Sequence, residues 1–332
     1  MELPLALRTA IDEMLSGEKP EQLKKISKNI TDRYMNESGQ GKILVSRDLE
    51  ARVYAAVRMP ATFGAVCDAL SYTKEMMDLH EGENSAADED RICTVFDIGA
   101  GSGAATWAAD AVFGPSSVEC FEREESMRKA GLELMKADGD LLSRTTWRDF
   151  DIEKDGFSGK KADLVLSSYV LNELSPSSRK AVIRKLWEAT DKVLTIVEPG
   201  TKEGFAVIEE TRDLLLSEGG HILAPCPHEG PCRIGEEDWC HFSCRVARSK
   251  LHKRIKDADV PYEDEKYTYI SFSKTPCVRA SARVLRHPYI TKGQIGLSIC
   301  GRERNEEVIV RKRDGSAFKA ARKCKMGDAI EL

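Results

Sequence analysis

Apolar positions along this chain change their period twice, and the changes divide it. Over residues 1 to 80, spacings of three and four dominate, in ALRTAIDEML and again in LEARVYAAVRMPATFGAVCDAL, with a polar break at NESGQGKI. This predicts a helical N-terminal domain over 1–90, with Pro60 marking a boundary between two helices. An acidic stretch, HEGENSAADEDR at 80–91, leads out of it. From 94 to about 218, short apolar runs alternate with amphipathic segments. Strands are expected in TVFD, VECFE, RTTWRDF, ADLVLSS and KVLTIVEPG, and helices between them, one opened by Ser175-Pro176 as cap and first-turn proline. Such alternation predicts a parallel sheet covered on both faces, with ligands at the C-terminal strand ends. After 218 the pattern breaks into a polar, turn-rich insertion at 220–260. CRVARSKLHKRIKDA then reads as a basic helix, and EKYTYISFS and GQIGLSICG as the antiparallel edge pair of the same sheet. EEVIVRKRDGSAFKAARKCK reads as a hairpin turning at Asp314-Gly315, inside a basic region at 302–325.

The first strand carries the most specific chemistry. In TVFDIGAGSGAATWAADAVF, 94–113, an apolar run ends at Asp97, turns through Gly99, Gly101 and Gly103, and continues as an Ala-rich helix. Glycines at alternate positions let the backbone turn sharply and present amides to a ligand at a helix start. The spacing is G-x-G-x-G, whereas the dinucleotide fingerprint is G-x-G-x-x-G with its acid about 20 residues on. This favours S-adenosylmethionine, whose sulfonium and amino-acid tail call for carboxylates more than for a pyrophosphate cradle. Asp97 would help hold the tail, Glu122 the ribose hydroxyls and Asp149 the adenine amine, with Ser168 and Tyr169 lining the same crevice. The expected fold is therefore α/β, a class I S-adenosylmethionine-dependent methyltransferase (Rossmann-like) fold over 91–332.

Composition narrows the setting. At 332 residues, 41% hydrophobic and 32% charged, the chain reads as a soluble globular protein, and no apolar run approaches the roughly 18 to 20 residues of a membrane helix. MELPLALRTAIDEML lacks the layout of a signal or transit peptide, so a cytoplasmic, monomeric protein without a membrane partner is expected. The net charge of −5 hides an asymmetry: residues 221–332 hold 22 Lys and Arg against 15 Asp and Glu. That points to an anionic partner, met by residues such as Arg248, Lys253, Arg254, Arg311, Lys312 and Arg313. Of the ten cysteines, Cys226, Cys232, Cys240 and Cys244 fall within nineteen residues. Thiolates so gathered repel one another unless a cation holds them. Their irregular spacing is compatible with an iron–sulfur cubane that draws a ligand from afar, with zinc as the alternative.

Several of these segments together resemble one family. DIGAGSGAATWAA, SSYVLNELS, VEPGTKEGF, APCPHEGPC with DWCHFS, RSKLHKRIK, RVLRHP with GLSIC, and RMPATFGAVCDAL look like the methyltransferase-like family of small-ribosomal-subunit assembly proteins, whose mitochondrial members act on the mitoribosome. The resemblance covers nearly the whole chain. It implies action on small-subunit ribosomal RNA and a [4Fe–4S] site on Cys226, Cys232, Cys240 and the distant Cys300, with Cys244 as substitute. Two classes of function stay open: a methyltransferase, or a non-catalytic RNA-binding assembly factor that keeps the fold. The acceptor loop reads SSYVLNE in place of the Asn/Asp-Pro-Pro-Tyr loop of amine methylation, and holds no cysteine nucleophile. Tyr169, Asn172 and Glu173 are the candidates for positioning a substrate there.

Overall fold

The computed structural model describes residues 1–37, 44–81, 91–235 and 237–331. The greater part of the NESGQGKI break and of the acidic stretch at 80–91 therefore lies outside the described residues. The N-terminal region forms α1 (Leu5–Met14), α2 (Pro20–Glu37) and α3 (Asp48–Glu81). The alternating region gives β1 (Thr94–Ile98), α4 (Ala104–Phe113), β2 (Ser117–Glu122), α5 (Glu125–Met135), α6 (Gly139–Ser143), β3 (Thr145–Asp149), β4 (Ala162–Ser168), α7 (Pro176–Glu188), β5 (Thr190–Pro199) and α8 (Lys202–Ser217). Then come β6 (His221–Ala224), β7 (Phe242–Ala247), α9 (Lys250–Lys256) and β8 (Tyr262–Ser273).

These strands form one mixed sheet in the order β3-β2-β1-β4-β5-β8-β6, with β7 paired to β8. β1 to β5 run parallel, and β8 is antiparallel to β5, β6 and β7. Strand side chains alternate between faces, and the burial follows. Val95, Leu164, Leu166, Val193 and Val197 join the core under α1 to α5, while Phe96, Val165, Leu194 and Ile196 join the core under α7 and α8. Leu7, Ile11 and Met14 of α1 belong to the first of these cores, so the N-terminal helices close one face of the sheet. Each such side chain contributes on the order of 1.5–3 kcal/mol when fully buried. Among the described residues no helix is long and apolar enough to cross a membrane.

Four expectations are corrected. Pro60 does not end a helix: α3 runs through it. Losing one backbone donor is tolerated because Ala51, Val53, Ala56, Val57, Met59, Phe63, Val66 and Leu70, on both sides of it, are held in one core. GQIGLSICG is no edge strand of the main sheet. It is β11 (Gln294–Gly301) of a second sheet with β9 (Ala282–Val284), β10 (Tyr289–Thr291), β12 (Asn305–Arg311) and β13 (Ala329–Ile330). The position beside β8 is taken by β6, whose Ile222, Leu223 and Ala224 are buried. The basic helix begins later than expected: Phe242, Cys244 and Val246 are buried with period two, so 242–247 is a strand, and Ser249 caps α9 by accepting from the His252 amide at 3.1 Å. The basic hairpin turns at 302–304, not at Asp314-Gly315, because β11 pairs with β12 from Gln294↔Arg311 to Cys300↔Asn305. Beyond it the Ala-rich SAFKAA forms α10 (Ser316–Ala321), seated by buried Ala321.

Candidate functional site

The glycine turn builds the floor of a cleft. Gly99, Gly101 and Gly103 sit at φ +66°, +56° and +89°, a region that side chains disfavour. The amides of Gly99 and Ala100 donate to the Phe121 carbonyl at 2.8 and 3.1 Å, tying the turn to β2. A Cβ on Gly99 would stand 2.4 Å from Val170, so the turn and the loop after β4 touch. Gly101 donates its amide to Glu122 at 2.9 Å, and the second oxygen of Glu122 accepts the Glu124 amide at 2.7 Å. Asp97 lies beneath the turn, fully buried. One of its oxygens accepts the Thr106 hydroxyl at 2.7 Å and the other has no hydrogen-bond partner among the described residues.

Above this floor lies a cavity of about 110 Å³. Its lining includes Gly99, Gly101, Glu122, Ser168, Tyr169 and Glu173 of the expected set, but not Asp97 or Gly103. Asn172 lines an adjoining cavity instead. Asp149 is not brought to the cleft: its side chain is 78% exposed and pairs with Arg128 at 3.1 Å, and the lining there is Phe150 and Asp151. Tyr169 holds φ +60°, donates its amide to the Val197 carbonyl at 2.7 Å and its hydroxyl to Glu265 at 3.0 Å. Strain of this kind persists only where surrounding structure enforces it. Glu198, fully buried, accepts the Leu171 amide at 2.9 Å and so braces the loop that presents Asn172 and Glu173.

Tyr34, Tyr54 and Glu124 also line the cleft and were not expected. The tyrosines arrive on α2 and α3 through tertiary packing, and the carboxylate of Glu124 accepts the amides of Leu44 and Val45 at 3.2 Å each. Only Glu124 had a local signal, its place two residues after Glu122.

The cleft concentrates acids. Glu122, Glu124, Asp151, Glu153 and Glu173 line it together with one base, Arg123. Burial, then Glu122, pushes Glu124 up to about 7. Burial, then Glu122 and Glu124, pushes Glu173 up to about 8, and burial, opposed by the hydrogen bonds from Thr106 and helped by Glu122, takes Asp97 to about 6. Carboxyls held protonated by burial first and by one another's charge second are relieved by a cation, and a sulfonium with an ammonium tail is one. The sign for folding is opposite. Between the ordinary carboxylate range and about 8, the folded chain holds protons the unfolded chain has released, so stability of the ligand-free protein falls as pH rises through that window. A cationic ligand should therefore raise the melting temperature more at about pH 8.5 than at about pH 5.5. A larger shift at the lower pH would mean that these carboxylates do not meet the ligand.

A second cluster stands among α8, β8 and the second sheet. Cys226, Cys232, Cys240 and Cys300 line one small cavity of about 40 Å³ with Arg212, His228 and Arg283. The loop 225–241 carries three of them. Arg283 of β9 anchors it by donating to the Pro225 carbonyl at 3.0 Å, and buried Arg212 donates to the Gly230 carbonyl. Cys300 of β11 lies in register with Arg283 and reaches His228 at 3.7 Å. Burial first, then neighbouring Cys226 and Cys232, pushes the Cys300 thiol up to about 12. Cys240 is raised by burial, then by Cys226, Cys300 and Cys232. Among the described residues no three such side chains stand close enough to hold one metal ion. A tetrahedral zinc site would need sulfurs about 3.8 Å apart, whereas a cubane places iron and sulfide between its thiolates and spreads them. Cys244 is elsewhere, buried on β7 against α3, where a Cβ on Gly64 would lie 3.2 Å from its sulfur.

The basic candidates separate. Arg248 is only 14% exposed in its side chain and pairs with Glu263 at 3.0 Å, so it is occupied within the fold. Arg254 is exposed and Lys253 half-buried on α9, while Arg311, Lys312 and Arg313 are exposed at the end of β12.

Comparison with known proteins places the chain. The family described as mitochondrial small ribosomal subunit Rsm22 matches residues 48–331. The human protein described as ribosome assembly protein METTL17, mitochondrial, is 32% identical over 208 residues, 58% of this chain and 42% of its own length. Rsm22-cox11 tandem protein 2, mitochondrial, of Schizosaccharomyces pombe is 25% identical over 299 residues, 72% of this chain and 38% of its own. The matches thus span only about two fifths of these relatives, whose mitochondrial descriptions depart from the plain cytoplasmic expectation. Among solved structures, magnesium protoporphyrin IX methyltransferase from Synechocystis with bound SAM is 15% identical, at TM-score 0.41 over 82% of this chain and 99% of that one. An O-methyltransferase family protein from Burkholderia thailandensis is 13% identical, at TM-score 0.46 over 81% and 72%. These two likenesses are distant. With the family match running from α3 to β13, this chain belongs to the Rsm22 family, the methyltransferase-like proteins of small-ribosomal-subunit assembly.

Proposed function

We propose that the chain binds S-adenosylmethionine in the cleft over the glycine turn and methylates small-subunit ribosomal RNA during ribosome assembly. The observation that carries this is the acidic cleft itself, with Glu122 locked to Gly101 and a run of carboxyls facing a space that suits a cation. The bound donor would supply an activated methyl group. Ser168 and Tyr169 would orient the acceptor, and the Glu173 carboxylate, once ionised beside the cation, would take the proton that the acceptor releases. The N-terminal helices act as the roof of this cleft, and 220–260 as a metal-binding insertion. There Cys226, Cys232, Cys240 and Cys300 would hold a [4Fe–4S] cluster in a structural role, tying the loop to the second sheet. The compartment follows the small subunit that the protein serves.

One observation favours a second reading, a non-catalytic RNA-binding assembly factor. The cleft measures about 110 Å³, below the roughly 300–1,000 Å³ usual for ligand sites, so it must open to admit the whole donor. Incubation with methyl-labelled S-adenosylmethionine and small-subunit precursor RNA separates the two. Label in the RNA, absent without protein, supports transfer; none, with RNA still bound, supports the second reading.

Contact with RNA has its own test. Reversing Arg311, Lys312 and Arg313 to glutamate should weaken RNA binding and reduce the log–log salt slope by roughly 0.7 for each lost phosphate contact. An unchanged slope would remove the end of β12 from the interface. Arg248→Ala should instead lower thermal stability, since it leaves Glu263 with less of its charge compensation.

A further inference from the structure

A larger cavity, about 920 Å³, adjoins the cleft between α2, α3, α9 and the C-terminal ends of β4 and β5. It shares a wall with the cleft, formed by Tyr34, Tyr54, Thr62, Tyr169 and Glu173. We propose that this cavity receives one unpaired nucleobase of an RNA strand, against the tyrosine wall, with the flanking phosphates held by lysines at its mouth. The proposal deepens the methyl-donor reading and rests on it only for what happens to the base once bound.

The wall suits a flat ring. Tyr34 and Tyr54 lie stacked, with centroids 5.5 Å apart and planes 26° from parallel, so the pair offers a preformed aromatic surface. Val57 and Ile30 add apolar lining, and Met35, 79% exposed, stands at the rim. Aromatic platforms of this kind bind unpaired bases with little regard to sequence. A base still paired in a duplex has no way into a space between helices, so the strand must be single or the base turned out.

The mouth suits phosphate. Lys24, Lys28, Arg58 and Lys256 line the cavity against Glu173 and Glu203. Lys24 is committed to Asp257 at 3.1 Å, Lys256 to Glu263 at 3.4 Å and Arg58 to Glu265 at 3.5 Å. Lys28, exposed, has no carboxylate at ion-pair distance among the described residues. α9 packs on α2 at this edge and carries Lys250, Lys253 and Arg254. An aromatic wall within and cations outside match a base on a phosphate chain better than they match a peptide.

The test is photocrosslinking of a short single-stranded RNA bearing one 4-thiouridine to the full chain, with adducts mapped by mass spectrometry. Adducts within residues 24–35 or 54–62, lost when the RNA is annealed to its complement, are expected. Thr31→Trp, at an exposed position of the lining, should cut RNA affinity and adduct yield about ten-fold. Lys28→Glu should lower the salt slope by roughly 0.7. S-adenosylhomocysteine binding, followed by calorimetry, should be unchanged in both variants. Adducts confined to other segments, equal labelling by the duplex, or a Thr31→Trp protein that crosslinks like wild type would each overturn the proposal. So would small-subunit proteins that compete for the cavity when RNA does not. Failure of wild type to bind S-adenosylhomocysteine would instead remove the donor reading and leave the base site standing.

Discussion

On the proposed cluster, Cys300→Ser is expected to strip most of the bound iron and to lower the melting temperature by on the order of 5–10 °C. Cys300 is on β11 and the other three thiols are on the loop 225–241, so a metal bound to all four fixes the loop to a sheet that contributes few buried apolar residues of its own. Serine keeps the size of the side chain and removes the soft donor. Protein purified without oxygen should be brown and carry about four irons per chain, and the variant should be close to colourless. Cys244→Ser supplies the contrast, because its sulfur is packed against α3 and away from the cavity; it should keep both colour and iron. Full metal retention in Cys300→Ser would take that residue out of the site, and one zinc per chain in colourless wild type would replace the cluster.

Gly101→Val is expected to weaken S-adenosylmethionine binding by about ten- to a hundred-fold. Space is not the obstacle, since a Cβ there would meet Met127 at 3.4 Å and the Gly99 carbonyl at 4.0 Å, both ordinary contacts. The obstacle is the backbone: at φ +56° a β-branched residue is strained, and relief turns the amide that now points at Glu122. Floor and carboxylate would shift together. Gly99→Val would confuse the result, because its Cβ would overlap Val170 and disturb the fold. Affinity within two-fold of wild type for Gly101→Val, in protein that melts normally, would show that the turn does not carry the donor.

The sequence was most legible where information is local. β1, β2, β4 and β5 show apolar runs followed by turn residues, and the glycine turn declares itself within eight positions. β7 was hidden because Arg245, Arg248, Lys250 and Lys253 recur at helical spacing across the junction of a strand and a short helix. β6 was missed because four residues are too few for either period to register. The roof of the cleft was not legible at all: Tyr34 and Tyr54 come near Glu122 only through the packing of α2 and α3 on the sheet. The choice of Cys300 over Cys244 could not come from spacing either. The resemblance to a family suggested it, and the pairing of β9 with β11 brings that thiol to the other three. Arg248 shows the opposite failure, a basic residue in a basic stretch that the fold uses internally.

The cleft over Gly99 and Gly101 is proposed to take S-adenosylmethionine. Calorimetric titration of the purified chain measures this most directly. Saturable binding at about one site per chain is expected, tighter at about pH 8.5 than at about pH 5.5 as the Glu124 and Glu173 carboxyls ionise, and weakened about ten- to a hundred-fold in Gly101→Val. No heat and no thermal shift with saturating ligand at either pH would contradict it.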